Sequence, residues 1–328
     1  MTMDVMPGSA VVEAAGVGKI FGSGNAAVTA LESIDLTIRQ GEFVSLIGPS
    51  GCGKSTLLRL IGDLTAPTSG TIRVNGKPAA RARLDRDYGM VFQAPVLMDW
   101  RTIAKNIELP LEIMGFSVDE RRRRAGDLLR LVELEAFAER HPWELSGGMQ
   151  QRVAIARALS FDPKLLLMDE PFGALDEMTR ERMNAELMNI WQRTGTTIVF
   201  VTHSIPEAVF LSSRVVVMSA RPGRIAQVVA IDLPAERSIE TRESERYFEL
   251  ITRVREALRR HEPVEEGNGP GDSGTNVPKL ASRSFSSSSG RMSAMWGGRC
   301  PSRIPTAVTG MSGRPTCGCG KCQGLAGG

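Results

Sequence analysis

Gly48-Pro49-Ser50-Gly51-Cys52-Gly53-Lys54-Ser55-Thr56 fits the pattern Gly-x-x-x-x-Gly-Lys-Ser/Thr in full, and it lies between an apolar run, Phe43 to Ile47, and a helical pattern starting near Lys54. The residue types follow from what a polyphosphate needs. Gly48, Gly51 and Gly53 let the backbone wrap closely enough for several N–H groups to face one phosphate chain, and the following helix points its positive end at the same charge. Pro49, Ser50 and Cys52 fill the remaining loop positions; nothing nearby in sequence gives the Cys52 thiol a reaction of its own. Lys54 reaches the β- and γ-phosphates, the Ser55 hydroxyl is suited to Mg2+, and Thr56 completes the motif. Glycine-rich turns without a ligand exist, and the strand-turn-helix context separates this stretch from them.

Working outward, Val11 to Ala14 and Ile34 to Ile38 read as strands around a loop rich in Gly, Ser and Asn, with Phe21 at its start. Gly70 to Gly76 reads as a short strand ending in an Asn-Gly turn, which suits an antiparallel hairpin arm. Gly89 to Phe92 is another short apolar strand with Gln93 at its end. Between residues 102 and 140, Ile103, Ile107, Leu111 and Met114, then Leu128, Leu131, Val132 and Leu134, recur at helical spacing. That marks a helical insertion, in which Arg121 to Arg124 read as a solvated face. The α/β pattern then resumes: helix near Met149 to Ser160, strand Lys164 to Met168, helix Glu177 to Thr194, and strands Thr197 to Val201 and Arg214 to Met218. Such alternation predicts a mostly parallel sheet covered on both faces, with ligands beyond the carboxyl ends of the strands, where Gly48, Gln93, Asp169 and His203 fall. A helix from about Arg242 to Arg260 closes the ordered part.

Composition divides the 328 residues in two. Of 40 Lys and Arg side chains, seven follow Asp272 and no acidic residue does, so 33 basic face 37 acidic side chains up to that point. The body is mildly acidic, which argues against a nucleic-acid partner. Residues 264–328 are rich in Gly, Ser, Pro and Arg without periodicity and are expected to be disordered. Cys300, Cys317, Cys319 and Cys322 lie there at a spacing that matches no standard zinc pattern. No run of 18 or more apolar residues appears, and the first residues lack the layout of a secretory signal, so a chain that stays in the cytoplasm is expected.

Two further stretches carry chemistry. Leu165 to Glu170 is an apolar strand ending in two carboxylates; by position Asp169 holds Mg2+ and Glu170 polarises the water that attacks the γ-phosphate. Leu145-Ser146-Gly147-Gly148-Met149-Gln150-Gln151-Arg152 sets a serine and two glycines before a second helix, with no lysine and no metal ligand. One ATP does not obviously need two such sites in one chain.

On these motifs the sequence resembles the ATP-binding subunits of ABC transporters, over roughly residues 11 to 261. The resemblance implies an α/β fold: a P-loop NTPase core, an antiparallel β arm and a helical signature subdomain at about 94–160. It also implies that two subunits pair head to tail, each signature (Ser146, Gly147, Gly148, Gln150) closing over the ATP in the other's cradle. Phe21 then matches the aromatic that stacks on adenine, Gln93 the glutamine loop that senses Mg2+ and the permease, Ala174-Leu175-Asp176 the D-loop, and His203 the switch histidine at the γ-phosphate. The wording Phe92 to Thr102, Pro171 to Arg180 and Ala220 to Arg224 is similar to importers of the nitrate, sulfonate and taurine group. The implied protein is a homodimer, or a pair with a close relative, peripheral on the cytoplasmic face of the inner membrane beneath a separate permease fed by a solute-binding protein. The alternatives are an efflux ATPase with a separate permease and a soluble ATPase outside transport.

Overall fold

The computed structural model describes residues 8–261; the expectations for the tail and its cysteines lie outside them. In chain order the elements are β1 (Ala10–Phe21), β2 (Val28–Arg39), β3 (Phe43–Ile47), α1 (Lys54–Ile61), β4 (Ser69–Val74), β5 (Lys77–Pro78), α2 (Ala79–Leu84), β6 (Tyr88–Val91), α3 (Ile103–Ile113), α4 (Val118–Leu131), α5 (Gly147–Leu159), β7 (Leu165–Asp169), α6 (Glu177–Thr194), β8 (Thr197–Val201), α7 (Ile205–Leu211), β9 (Arg214–Met218), β10 (Ile225–Ala230), α8 (Ile239–Glu243) and α9 (Glu245–Arg259).

Strand β3 is buried at every residue because it lies in the middle of a six-stranded sheet ordered β10-β9-β3-β8-β7-β6. The five strands β9 to β6 run parallel, and β10 joins β9 antiparallel. Parallel strands covered on both faces need apolar side chains on both, which is why β3, β7 and β8 read as unbroken apolar runs. Successive residues still alternate between two layers. Phe43 and Ile47 pack with Met168, Phe200 and Val217 against Val153 of α5, Leu187 of α6, Phe210 of α7 and Leu250 of α9. Val44 and Leu46 pack with Leu167, Val199 and Val216 against Leu57 and Leu58 of α1 and Val12, Ile34 and Ile72 of a second sheet. Full burial of one such Leu or Phe contributes about 1.5–3 kcal/mol.

That second sheet is antiparallel, in the order β2-β1-β4-β5. Asn75 and Gly76, with φ of 51° and 74°, make the two-residue turn that pairs Val74 with Lys77, as the primed hairpin turns require. The arm meets the core sheet where the Gly223 N–H donates to the Ala30 carbonyl (3.1 Å) and the Glu32 N–H to the Gly223 carbonyl (3.0 Å). Helices α3, α4 and α5 pack on one another, with Ile103, Ile107 and Leu111 forming the buried face of α3. Arg121, Arg123 and Arg124 pair with Glu108, Glu120, Asp127 and Asp162.

Register sets the edge on which the chemistry gathers. Leu46 pairs with Val201, Val201 with Asp169, and Met168 with Val91. The residues that follow, Gly48, Phe92, Glu170 and Thr202, therefore leave the sheet on one edge.

Some elements differ from the sequence reading. β1 and β2 each run 12 residues, longer than the strands expected; register shifts beside Gly16, at φ 57°, break the alternation that would reveal their length. Strand β10 was not anticipated, because of its six residues only Val229 is buried. The last helix is split at Ser244, which ends α8 and accepts from the Tyr247 N–H to start α9. Among the described residues no helix is long and apolar enough to cross a membrane.

Candidate nucleotide site

At the carboxyl edge of the sheet a cleft of about 460 Å³ is lined by Ala30, Gly48, Ser50, Gly51, Gly53, Lys54, Ser55, Thr56, Glu170 and His203. Gly53 starts α1 at φ 93°, and a Cβ there would come within 2.5 Å of Leu31 Cδ2, so the turn is built for glycine. No side chain caps this helix start. The N–H groups of Lys54, Ser55 and Thr56 consequently lack an intrahelical acceptor, and the helix dipole adds positive potential beside them.

Lys54 is buried, and its ammonium donates to the carbonyls of Gly48 (2.8 Å) and Pro49 (3.2 Å), holding the loop around itself. Cys52 is fully buried beneath the loop. Burial pushes its thiol pKa up, against the opposing pull of Lys54. The Ser55 hydroxyl donates to Asp169 Oδ1 at 2.7 Å, joining the helix start to the end of β7.

Glu170 follows with φ 48°, in the left-handed region, at a cost of about 1–3 kcal/mol for a side chain other than glycine. Two backbone bonds hold it there: its N–H donates to the Val201 carbonyl (3.0 Å), and its carbonyl accepts from the Gly173 N–H (3.1 Å). In this position Glu170 Oε2 lies 3.6 Å from Nδ1 of His203, whose imidazole is exposed. Gln93 does not line the cleft but lies next to Glu170: a Cβ on Gly173 would be 3.3 Å from Gln93 Nε2 and 3.7 Å from Glu170 Oε2. Cradle, paired carboxylates, glutamine and histidine thus converge from four parts of the chain.

Other candidates lie apart from the cleft lining. Phe21 ends β1, half exposed, with Lys19 Nζ 4.9 Å from its ring centroid. Ser146 caps α5, its hydroxyl accepting from the Met149 N–H at 3.4 Å. Gln150 donates to the carbonyls of Pro142 (2.9 Å) and Leu145 (3.2 Å). A Cβ on Gly147 would be 3.8 Å from Leu175, and one on Gly148 3.2 Å from Thr179, so this helix start sits against the start of α6. Asp176 caps α6, accepting from the Thr179 N–H (3.0 Å); that bond holds its carboxyl below the usual carboxylate range.

Several supporting residues escaped the sequence reading. Ala30 reaches the cleft from the antiparallel arm. Gln151 donates to the Phe92 carbonyl (3.1 Å), linking α5 to the segment that carries Gln93. Buried Asn106 accepts from the Met98 N–H (2.7 Å) and donates to the carbonyls of Met98, Arg101 and Thr102, fixing the same segment to α3. Arg180 donates to the carbonyls of Phe172 (3.4 Å) and Leu175 (2.6 Å), holding the loop after Glu170. Ala30, on β2, offered only a small side chain as a sequence signal, and Gln151, Asn106 and Arg180 only polar residues on helices.

Residues 31–173 match the ABC transporter family. The nitrate import ATP-binding protein NrtD of Synechocystis sp. is 45% identical over 260 residues, covering 77% of this chain and 97% of that protein. The taurine import ATP-binding protein TauB of Burkholderia pseudomallei is 46% identical over 216 residues, 66% of this chain and 82% of that one. Among solved structures, the dimeric post-hydrolysis state of the ATP-binding cassette MJ0796 bound to ADP and Pi matches with a TM-score of 0.59 and 38% identity, over 67% of this chain and 98% of that one. With relatives matched over most of their length and a fold shared with a solved ATP-binding cassette, the chain belongs to the ABC transporter family as an ATP-binding, ATP-hydrolysing member.

Proposed function

We propose that this chain is the ATPase of an importer for a small solute of the nitrate, sulfonate or taurine kind, working through a separate permease. The observation that carries the hydrolytic part is the cleft itself, where the cradle, the Ser55–Asp169 pair and the Glu170–His203 pair meet. The import part is supported by the nitrate and taurine import names of the relatives.

In this reading the backbone of residues 48–56, the first turn of α1 and Lys54 neutralise the phosphate chain of ATP. Phe21 stacks on adenine. Ser55 and Asp169 are hard oxygen donors joined at 2.7 Å, a pair that fits Mg2+, with Gln93 as a further oxygen donor. Mg2+ held by these residues would offset the negative charge of the ATP phosphates. Glu170 accepts a proton from water as the water oxygen bonds to the γ-phosphorus; the bond to the bridging oxygen breaks, leaving ADP and phosphate. His203 holds the γ-phosphate oxygens. Ser146, Gly147, Gly148 and Gln150 of a second subunit cover the nucleotide, with Asp176 ordering the adjoining loop. Exposed Val96 and Trp100, in the segment that follows Gln93, give a permease apolar surface to cover. ATP binding closes the pair and hydrolysis reopens it, moving that segment. The subunit then sits peripherally on the cytoplasmic face of the inner membrane, and a solute-binding protein acts with it only through the permease.

Affinity purification of the tagged chain from detergent-solubilised native membranes, with mass spectrometry of what accompanies it, tests the assembly. Recovery of a polytopic permease supports the proposal. Recovery of the chain alone, or with nucleic acid, from the soluble fraction would refute it.

A further inference from the structure

Glu207 lies in the first turn of α7, is 5% exposed, and has no place in the chemistry above. Its hydrogen bonds flank His203 on both sides in sequence. The Thr202 hydroxyl donates to Glu207 Oε2 and accepts from the Ser204 N–H (3.0 Å), while the Glu207 N–H donates to the Ser204 hydroxyl (3.4 Å). Thr202, immediately before His203, is thus tied to the buried carboxyl, and Ser204, immediately after it, to Thr202 and to the Glu207 backbone.

The other carboxyl oxygen, Oε1, has no hydrogen-bond partner, and neither has Oδ1 of Asn184, buried on α6. Asn184 approaches Glu207 closely enough to affect its ionisation. Burial pushes the Glu207 carboxyl pKa up, against the pull of Thr202, Arg180, His203 and Asn184. The Asn184 side chain and the Thr202 hydroxyl both hydrogen-bond toward this carboxyl. Helix α6 also carries Arg180, which holds the loop after Glu170. One helix face therefore steadies the turns bearing both Glu170 and His203.

We infer that Glu207 is a positioning residue for His203, fixing the 202–204 turn against α6 so that the imidazole keeps its place beside Glu170. The inference rests on the role proposed for His203. It differs from a purely structural role in a measurable way. A leucine keeps most of the buried volume but leaves the Thr202 hydroxyl without its acceptor, at a cost in stability, so kcat at a temperature where the variant stays folded is the readout that separates the two roles.

The test is steady-state ATP hydrolysis by the full chain, with unfolding midpoints, for Glu207→Leu, Glu207→Gln, His203→Ala and the double variant Glu207→Leu/His203→Ala. Misplacement of a reacting group by about 1 Å costs on the order of 10^2-fold, so Glu207→Leu is expected to lower kcat by about 10- to 100-fold with the KM for ATP unchanged, beside a modest fall in the unfolding midpoint from the unpaired Thr202 hydroxyl. Glu207→Gln, whose amide both donates and accepts, is expected to retain most of the rate. The double variant should be no slower than His203→Ala, since both changes remove one function. Wild-type kcat in Glu207→Leu beside a disabled His203→Ala overturns the inference and leaves the His203 role standing; wild-type kcat in His203→Ala overturns both. Should Glu207→Leu fail to fold, Thr202→Val removes the same bond from its other end, and an unchanged kcat there overturns the inference equally.

Discussion

Helices α1 and α5 both start at glycine-containing turns, yet they are built to different ends. The start of α1 has no side-chain cap and holds a buried ammonium, Lys54, within its loop. The start of α5 caps itself with Ser146 and contributes no cation, and its two glycines press on Leu175 and Thr179. An uncapped helix start with a lysine can bind a phosphate chain unaided. A capped, uncharged one adds too little to do so, and gains a use only when another surface brings the ligand to it. The contrast gives a physical reason for pairing two such chains, in keeping with the dimeric MJ0796 cassette.

Three substitutions test this contrast, in falling order of effect. Glu170→Gln removes the proposed base from the cradle side and should slow hydrolysis by about 10^2- to 10^4-fold. Nucleotide binding should survive, with the protein accumulating as an ATP-bound dimer on size exclusion; normal turnover would remove Glu170 from that role. Lys54→Ala takes away the cation that distinguishes the first helix start. It should cost about 10^2- to 10^3-fold in rate and, unlike Glu170→Gln, weaken nucleotide binding as measured by fluorescence titration. Ser146→Ala strikes the second start, where loss of a cap should lower stability by about 0.5–2 kcal/mol, read from denaturant midpoints. ATP binding by the isolated chain should be untouched in that variant; weakened binding would mean that the α5 start serves the cleft of its own chain.

Legibility followed the physics of burial. β3, β8, β9 and α6 have the bounds read from the sequence because strands covered on both faces form apolar runs and a long helix shows its period. The mostly unburied β10 gave no such signal, and in β1 only Val11 to Ala14 did, because the bulge beside Gly16 breaks the alternation beyond it. At and beside the cleft, Lys54, Ser55, Asp169, Glu170 and His203 were legible because they sit in dense local motifs whose strands end on one edge. Ala30, Gln151, Arg180 and Glu207 act across the fold, and nothing in their own neighbourhoods records which turn they support.

Cys52 is the only cysteine among the described residues and is wholly buried under the cradle. A Cβ on Gly48 would lie 2.7 Å from its sulfur, and the raised pKa keeps the group as a thiol. Only thiolate alkylates readily, so a maleimide must wait for the turn between β3 and α1 to open. The rate at which this one sulfur is modified is therefore a built-in clock for how often the nucleotide loop breathes, and a bound phosphate chain should slow it.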